Sequence, residues 1–279
     1  DELCLVINLE DFIGVTTGSS SIMRVFPAWA EYLGLTDAAI VGIDFPLHAE
    51  PARYREAVSF IKRDPLSRGA LVTTHKIDLF AACRDLFDRL DPHAELMEET
   101  SCISKRGDAL IAHAKDPISA GLTLDGFLPR DHFAETGAEL FVIGAGGSAT
   151  AITWHLMRKS RGGNAPQRIV VADRSPERLA AIRDFHRTIE TDATLDYVDA
   201  TIPGANDAVL AGLALGSLVV NATGLGKDAP GSPLTDAARF PESGIVWELN
   251  YRGHLVFLDQ ARAQKAERRL QIENGWTYF

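Results

Sequence analysis

ELFVIGAGGSATA, residues 139–151, joins an apolar run to a glycine turn and then to a helix-compatible segment. Leu140, Phe141, Val142 and Ile143 read as a buried strand that stops at Gly144. Gly144 permits the tight turn, Gly146 lets the backbone approach a pyrophosphate, and Ala149 lets helix and strand pack closely. The free N–H groups at the helix start, beside Ala145, Gly147 and Ser148, would then face the anion. A second apolar run, Arg168 to Ala172, ends at Asp173, where a ribose-reading acid is expected. Together they predict a dinucleotide site on a Rossmann-type unit.

Composition sets the outer bounds. The chain has 279 residues, enough for one large or two modest domains, and 46% hydrophobic with 24% charged residues is the balance of a globular protein. A formal charge of −10 argues against a nucleic-acid partner, because phosphate binding needs a basic surface. Cys4, Cys83 and Cys102 are odd in number and lack metal-ligand spacing, which favours a reducing cytoplasm. His48, His113 and His155 have no partner at ligand spacing, so no metal is expected. No apolar run approaches the length of a membrane span, and no signal peptide is visible.

Periodicity organises the rest. Residues Leu3 to Leu9, Ala39 to Ile43, Leu71 to Thr73 and Ala109 to His113 read as strands. Helices are expected at Ser21 to Leu33, near Pro51 to Lys62 and at Ile77 to Leu86, with a connecting helix at Thr123 to Thr136. Further strands follow near Leu140, Ile169, Tyr197, Leu218 and Ile245, and the charged Arg262 to Arg269 segment reads as a solvated helix face. Such alternation predicts an α/β protein of two domains: an N-terminal α/β substrate domain with a mostly parallel sheet, and a doubly wound Rossmann-type domain. The expected bounds are 1–118 and 119–273, with 274–279 starting a return to the first domain and a ligand cleft between the two.

Four segments in order resemble the shikimate and quinate dehydrogenase family over nearly the whole chain. They are Gly69-Ala70-Leu71-Val72-Thr73-Thr74-His75-Lys76, Leu110-Ile111-Ala112-His113-Ala114-Lys115-Asp116, Asn221-Ala222-Thr223-Gly224-Leu225-Gly226, and VWELNYRG at Val246 to Gly253. The resemblance implies that Lys76 and Asp116 form the catalytic pair. It also implies that Ser19, Ser20 and Ser21 hold a substrate carboxylate, with Thr73, Ser101 and Tyr251 completing the substrate site. Gly144, Ala145, Gly146, Gly147, Ser148, Ala149, Asp173, Arg174, Asn221, Ala222, Thr223, Gly226 and Gly275 would then hold NAD or NADP. The chemistry agrees: moving a hydride from a secondary alcohol requires the hydroxyl proton to leave, and a lysine oriented by a carboxylate can take it. Asp116 read alone is also a plausible helix cap before Pro117, and Asp125 is a second candidate acid.

The chain departs from the family pattern where that family hydrogen-bonds a polyhydroxylated ring. Ile22-Met23-Arg24 follows the serines, Leu71 replaces an asparagine, Lys115 replaces a threonine, and Thr100 or Ser101 stands for a second asparagine. Each buried hydroxyl left unpaired costs about 1–3 kcal/mol, so the usual ring would bind poorly. In Ala172-Asp173-Arg174-Ser175 the carboxylate favours NAD by repelling a 2′-phosphate, whereas Arg174 and Ser175 fit NADP; the balance leans to NAD. The expected activity is hydride transfer between nicotinamide and a shikimate- or quinate-like cyclic hydroxy acid, by a monomer or homodimer whose partner is a small molecule. The rivals are the same fold acting on a different or amino-substituted ring, a non-catalytic ligand-binding homologue, and a methylene-tetrahydrofolate dehydrogenase-like enzyme.

Overall fold

A computed structural model describes residues 8–35, 37–202, 204–227 and 229–278. The chain divides into two compact units, Asp1–Asp116 and Pro117–Phe279.

In the first unit the elements run β1 (Asn8–Gly14), α1 (Ile22–Tyr32), β2 (Ala38–Asp44), α2 (Pro51–Arg63), β3 (Ser67–Val72), α3 (Lys76–Cys83), β4 (Arg89–Leu90), α4 (Pro92–Met97), β5 (Cys102–Arg106) and β6 (Ala109–His113). They form one six-stranded sheet in the order β2-β1-β3-β5-β6-β4. β1 runs parallel to both β2 and β3, while β5 is antiparallel to β3 and β6. Its core gathers Ile13, Tyr54, Val58, Ile61, Val72, Leu79 and Leu110 under α2 and α3.

This sheet corrects several expectations. The first described strand is Asn8–Gly14, which includes Asn8 and Leu9 of the expected Leu3 to Leu9 run and continues to Gly14; Leu3 to Ile7 fall outside the described residues. Phe12 and Ile13 supply the buried positions that pull the strand toward Gly14. β4 and β5 were not expected. β5 and β6 are joined by Gly107-Asp108, with Gly107 at φ 61°, a two-residue hairpin of the kind Gly-Asp permits. The apolar stripe of α1 is also not a core face: among its residues only Ala30 is buried, and Trp29 and Tyr32 are exposed.

The second unit contains α5 (Asp116–Phe127, whose first residue closes the first unit), α6 (His132–Thr136), β7 (Leu140–Ile143), α7 (Gly147–Met157), β8 (Arg168–Asp173), α8 (Pro176–His186), β9 (Thr194–Asp199), α9 (Ala205–Ala211), β10 (Leu218–Asn221), β11 (Ile245–Glu248), α10 (Val256–Arg268) and β12 (Gln271–Glu273). All its strands are parallel, in the order β12-β11-β10-β7-β8-β9. That is the doubly wound arrangement, with the reversal of strand order at β7 and β10. Both faces of the sheet are covered, by one cluster around Leu140, Ile152 and Trp247 and another around Phe141, Phe240 and Phe257. Burial on both sides explains why these strands read as unbroken apolar runs. The expected Thr123 to Thr136 helix is instead two helices broken around Pro129, which lacks the N–H a continuous helix would need. No helix among the described residues is long and apolar enough to cross a membrane.

Candidate functional site

In the first unit, topology assembles the predicted residues at one edge of the sheet. β1 and β3 are parallel neighbours with Ile13 opposite Val72, so the segments that leave their carboxyl ends, Gly14 to Ser21 and Thr73 to Lys76, emerge together. β5 runs the other way, so Glu99 to Ser101 enter it at that same edge, and β6 ends there before Ala114 to Asp116. The carboxyl ends of parallel strands are the usual place for a ligand in such sheets.

Lys76 opens α3 and Asp116 opens α5. The Lys76 Nζ donates to Asp116 Oδ2 at 2.5 Å, with the side chains 22% and 11% exposed. The pair is little hydrated, and its contact has the short geometry of a charge-assisted hydrogen bond. The turn before it is strained: Thr74 adopts φ 62°, which bends the chain so that the His75 N–H donates to the Thr73 carbonyl. His75 is buried with Nδ1 2.9 Å from the Tyr54 hydroxyl, and burial keeps its pKa below the ordinary imidazole value.

The remaining substrate candidates have mixed surroundings. Ser19 donates its hydroxyl to the Thr16 carbonyl, Ser20 follows, and Ser21 stands before α1 without a side-chain cap bond. The Thr73 N–H donates to the Ile13 carbonyl. The Ser101 hydroxyl accepts from the Lys115 N–H at 2.7 Å, so it holds the backbone that carries Asp116. Tyr251 lies in the second unit against Trp276, ring centroids 5.0 Å apart. Asp125 is engaged by Arg161 and His155 within the second unit.

The glycine turn of the second unit opens on a cavity of about 480 Å³ lined by Gly144, Ala145, Gly146, Asp173, Arg174, Ala222 and Thr223 among others. Gly144 has φ 111°, and a Cβ there would lie 2.7 Å from the Ala222 carbonyl oxygen, so only glycine fits. A Cβ on Gly146 would meet nothing, which marks the open side of the turn. Gly147, Ser148 and Ala149 form the first turn of α7, whose leading N–H groups have no intrahelical acceptor. Ala149 is fully buried against the sheet.

Asp173 does more than close a strand. Its Oδ2 accepts from the Ala145 N–H and its Oδ1 from the Ser175 N–H, each at 2.8 Å, so the carboxylate pins the glycine turn to the strand end. Arg178, one turn into α8, lines the cavity beside Arg174 and was not anticipated. The Ser175 hydroxyl caps α8 through the Arg178 N–H and also donates to Glu177.

Asn221, Ala222, Thr223 and Gly226 form a loop fixed from beneath. Asn221 Oδ1 accepts from the Thr223 N–H and hydroxyl, and its Nδ2 donates to Glu248 at 2.8 Å. Asn250 donates its N–H and Nδ2 to Glu248, and Nδ2 also reaches the Thr223 and Leu225 carbonyls. Burial pushes the Glu248 carboxyl up to about 7 against these donors. Gly275 packs closely on the Leu249 carbonyl, a contact any Cβ would block.

The residue that sequence reasoning passed over in the first unit is Glu99. It is 3% exposed, and burial pushes its pKa up to about 7, with Lys76 pulling it down and Asp116 pushing it further up. Glu99, next to Glu98 in the link between α4 and β5, carries no periodic or motif signal, so only the fold reveals it. Among the described residues no cluster of His, Cys, Asp or Glu is arranged to hold a metal ion.

No protein-family model matches the chain. A shikimate dehydrogenase (NADP(+)) of Streptococcus thermophilus is 28% identical over 183 residues, covering 64% of this chain and 59% of that protein. Its counterpart from Symbiobacterium thermophilum is 28% identical over 204 residues, covering 72% and 64%. The chain therefore spans about three-fifths of the length of these curated relatives. Among solved structures, shikimate dehydrogenase from Aquifex aeolicus aligns with a TM-score of 0.72 at 17% identity, covering 98% of this chain and 88% of that one. Quinate dehydrogenase from Corynebacterium glutamicum in complex with NAD gives 0.70 at 20% identity, covering 98% and 89%. The chain is shikimate dehydrogenase-like in sequence, and its fold is the two-domain α/β fold of those structures.

Proposed function

We propose that this chain is an NAD(P)-dependent oxidoreductase that moves a hydride between nicotinamide and a shikimate- or quinate-like cyclic hydroxy acid. The observation that carries the reading is the Lys76–Asp116 pair, a shielded ammonium and carboxylate at the ligand-binding edge of the first sheet. The second unit fits the cofactor: only glycine is tolerated at Gly144, Gly146 is open, and Asp173 stands at the strand end. Bound there, the nicotinamide would supply or accept the hydride.

The chain's own groups handle the proton. In the reducing direction the Lys76 ammonium donates a proton from Nζ to the substrate oxygen; in the oxidising direction the amine takes it back. Asp116 holds Nζ in place, and its carboxylate would also accept from the reacting hydroxyl. Ser19, Ser20 and Ser21, which precede α1, would meet the carboxylate of the substrate. The first unit, residues 1–118 by sequence, would thus be the substrate domain. A cytoplasmic location belongs to the same reading, supported by the unpaired thiols of Cys83 and Cys102.

Cofactor choice turns on the strand end. Asp173 retains lone pairs for ribose hydroxyls, while Arg174 and Arg178 add positive charge to the cavity. Ser175 is already committed to its cap and to Glu177, which weakens the case for a 2′-phosphate site and keeps the balance toward NAD. A second reading, the same reaction on a differently substituted ring, is favoured by Leu71 in β3 and by the commitment of the Ser101 hydroxyl to Lys115. Both readings are tested by following nicotinamide absorbance with shikimate, quinate and aminoshikimate, each with NAD and NADP. Turnover of shikimate or quinate supports the first reading, and turnover of aminoshikimate alone supports the second. Binding of these acids without reduction of either cofactor sinks both and favours a ligand-binding homologue.

A further inference from the structure

We propose that Glu99 is a positioning residue of the Lys76–Asp116 pair, an enclosed third acid that sets the pH at which the Lys76 amine gives up its proton. The inference rests on the dehydrogenase reading for its catalytic meaning, but its physical content is a coupling within the first unit.

The placement is structural. Glu99 follows Glu98, the left-handed residue (φ 49°) that closes α4, and precedes β5. The segment is tied to both members of the pair: the Thr100 N–H donates to the Lys76 carbonyl at 3.2 Å, and the Ser101 hydroxyl accepts from the Lys115 N–H beside Asp116. Glu99 is 3% exposed, and its Oε1 has no hydrogen-bond partner among the described residues. A carboxylate in that state is costly to ionise, and what offsets the cost is a nearby cation. The charges felt at Glu99 are those of Lys76 from α3 and Asp116 from α5. His113 and Lys115, at the end of β6, are held instead by Asp91 at 3.0 and 3.7 Å.

The consequence is directional. When Glu99 is protonated, it adds no negative charge to that of Asp116 beside Lys76. When Glu99 ionises, two carboxylates hold one ammonium, and Lys76 keeps its proton to higher pH. Burial and the Asp116 charge place that changeover near neutral pH, so Glu99 moves the pair between a state that releases a proton readily and one that retains it.

The test uses the full chain carrying carbon-13 at glutamate carboxyls and lysine Cε, titrated by NMR as wild type, Glu99→Gln and Lys76→Met. We expect the Glu99 signal to titrate well above the ordinary glutamate range and the Lys76 signal to inflect at the same pH. In Glu99→Gln the inflection should vanish and Lys76 should lose its proton about one pH unit lower, about a tenfold gain in free amine at a fixed pH. In Lys76→Met the Glu99 midpoint should rise, since the cation that lowers it is gone. The pH profile of kcat/KM should shift by the same amount in Glu99→Gln with KM unchanged. Identical Lys76 titrations in wild type and Glu99→Gln would overturn the proposal. If Glu99→Gln fails to fold, the wild type still decides, because a Lys76 signal with no inflection at the Glu99 midpoint refutes the coupling. Coupled titration in a protein that turns over no cyclic hydroxy acid would sink the dehydrogenase reading alone and leave the coupling supported.

Discussion

Single residues carry the proposed chemistry, and their roles separate by substitution. Lys76→Ala removes the group proposed to exchange the substrate proton. Turnover should fall by about 10²–10⁴-fold while the far-ultraviolet circular dichroism spectrum stays unchanged, because Lys76 lies at a helix start rather than in the core. Retained turnover would remove it from the mechanism. Asp173 has two proposed roles: its oxygens fix the Ala145 and Ser175 N–H groups, and it lines the cavity proposed to take the cofactor ribose. Asp173→Ala should therefore weaken NAD binding more than NADP binding, measured by fluorescence titration, with some loss of both from the loosened turn. An unchanged preference would mean that Asp173 is purely structural. Lys76, Asp116, Gly144 and Asp173 were legible in the sequence because each sits in a short motif whose chemistry is local. Glu99 and Arg178 were not. Their meaning comes from what surrounds them after folding: burial for the one, a cavity wall for the other.

Elements were legible in proportion to how completely they are buried. The strands β7, β8, β10 and β11 are covered on both faces and stand out as apolar runs. The two-residue β4 and the half-buried β5 carry little such signal, whereas the edge strand β2 was still legible as the apolar run Ala39 to Ile43. The missed extension of the first strand to Gly14 shows the trap: Glu10 and Asp11 look polar in the sequence, although Asp11 is buried and accepts from the Ser67 hydroxyl. The element whose geometry most constrains function is the turn between β7 and α7. Gly144→Ala would place a side chain at φ 111° and against the Ala222 carbonyl. The strain and overlap together should cost about 2–4 kcal/mol and abolish cofactor binding, because the turn and the 222–226 loop would be pushed apart. Calorimetry should show a lower Tm and no rise on adding NAD or NADP; a normal cofactor-induced rise would mean the turn tolerates a Cβ.

At the scale of the molecule, opposed titrations shape stability. Glu10 is raised to about 7 by burial and by the Asp11 charge, and Glu99 and Glu248 are raised to about 7 chiefly by burial. An acid raised in the folded state binds more protons folded than unfolded. Its stabilisation is full below the unfolded value of 4.5 and is lost as pH rises toward 7. His186 works the other way: burial between Thr153 and Tyr197 lowers it from 6.5 to about 4, so its contribution is present above 6.5 and lost as pH falls through that window. The two effects cancel in part between 4.5 and 6.5, leaving the acids to dominate the alkaline side. Glu10 isolates that side, because it is only partly exposed on β1 and takes no part in the proposed chemistry. Glu10→Gln removes the charge without changing shape. It should raise stability at about pH 8 by about 1–2 kcal/mol, a figure discounted for its residual exposure, and leave it nearly unchanged at about pH 4.5. Thermal melts of both proteins across that range decide the matter: parallel Tm curves would show that Glu10 ionises freely in the folded chain, and that the fall in stability toward alkaline pH must be sought at Glu99 and Glu248.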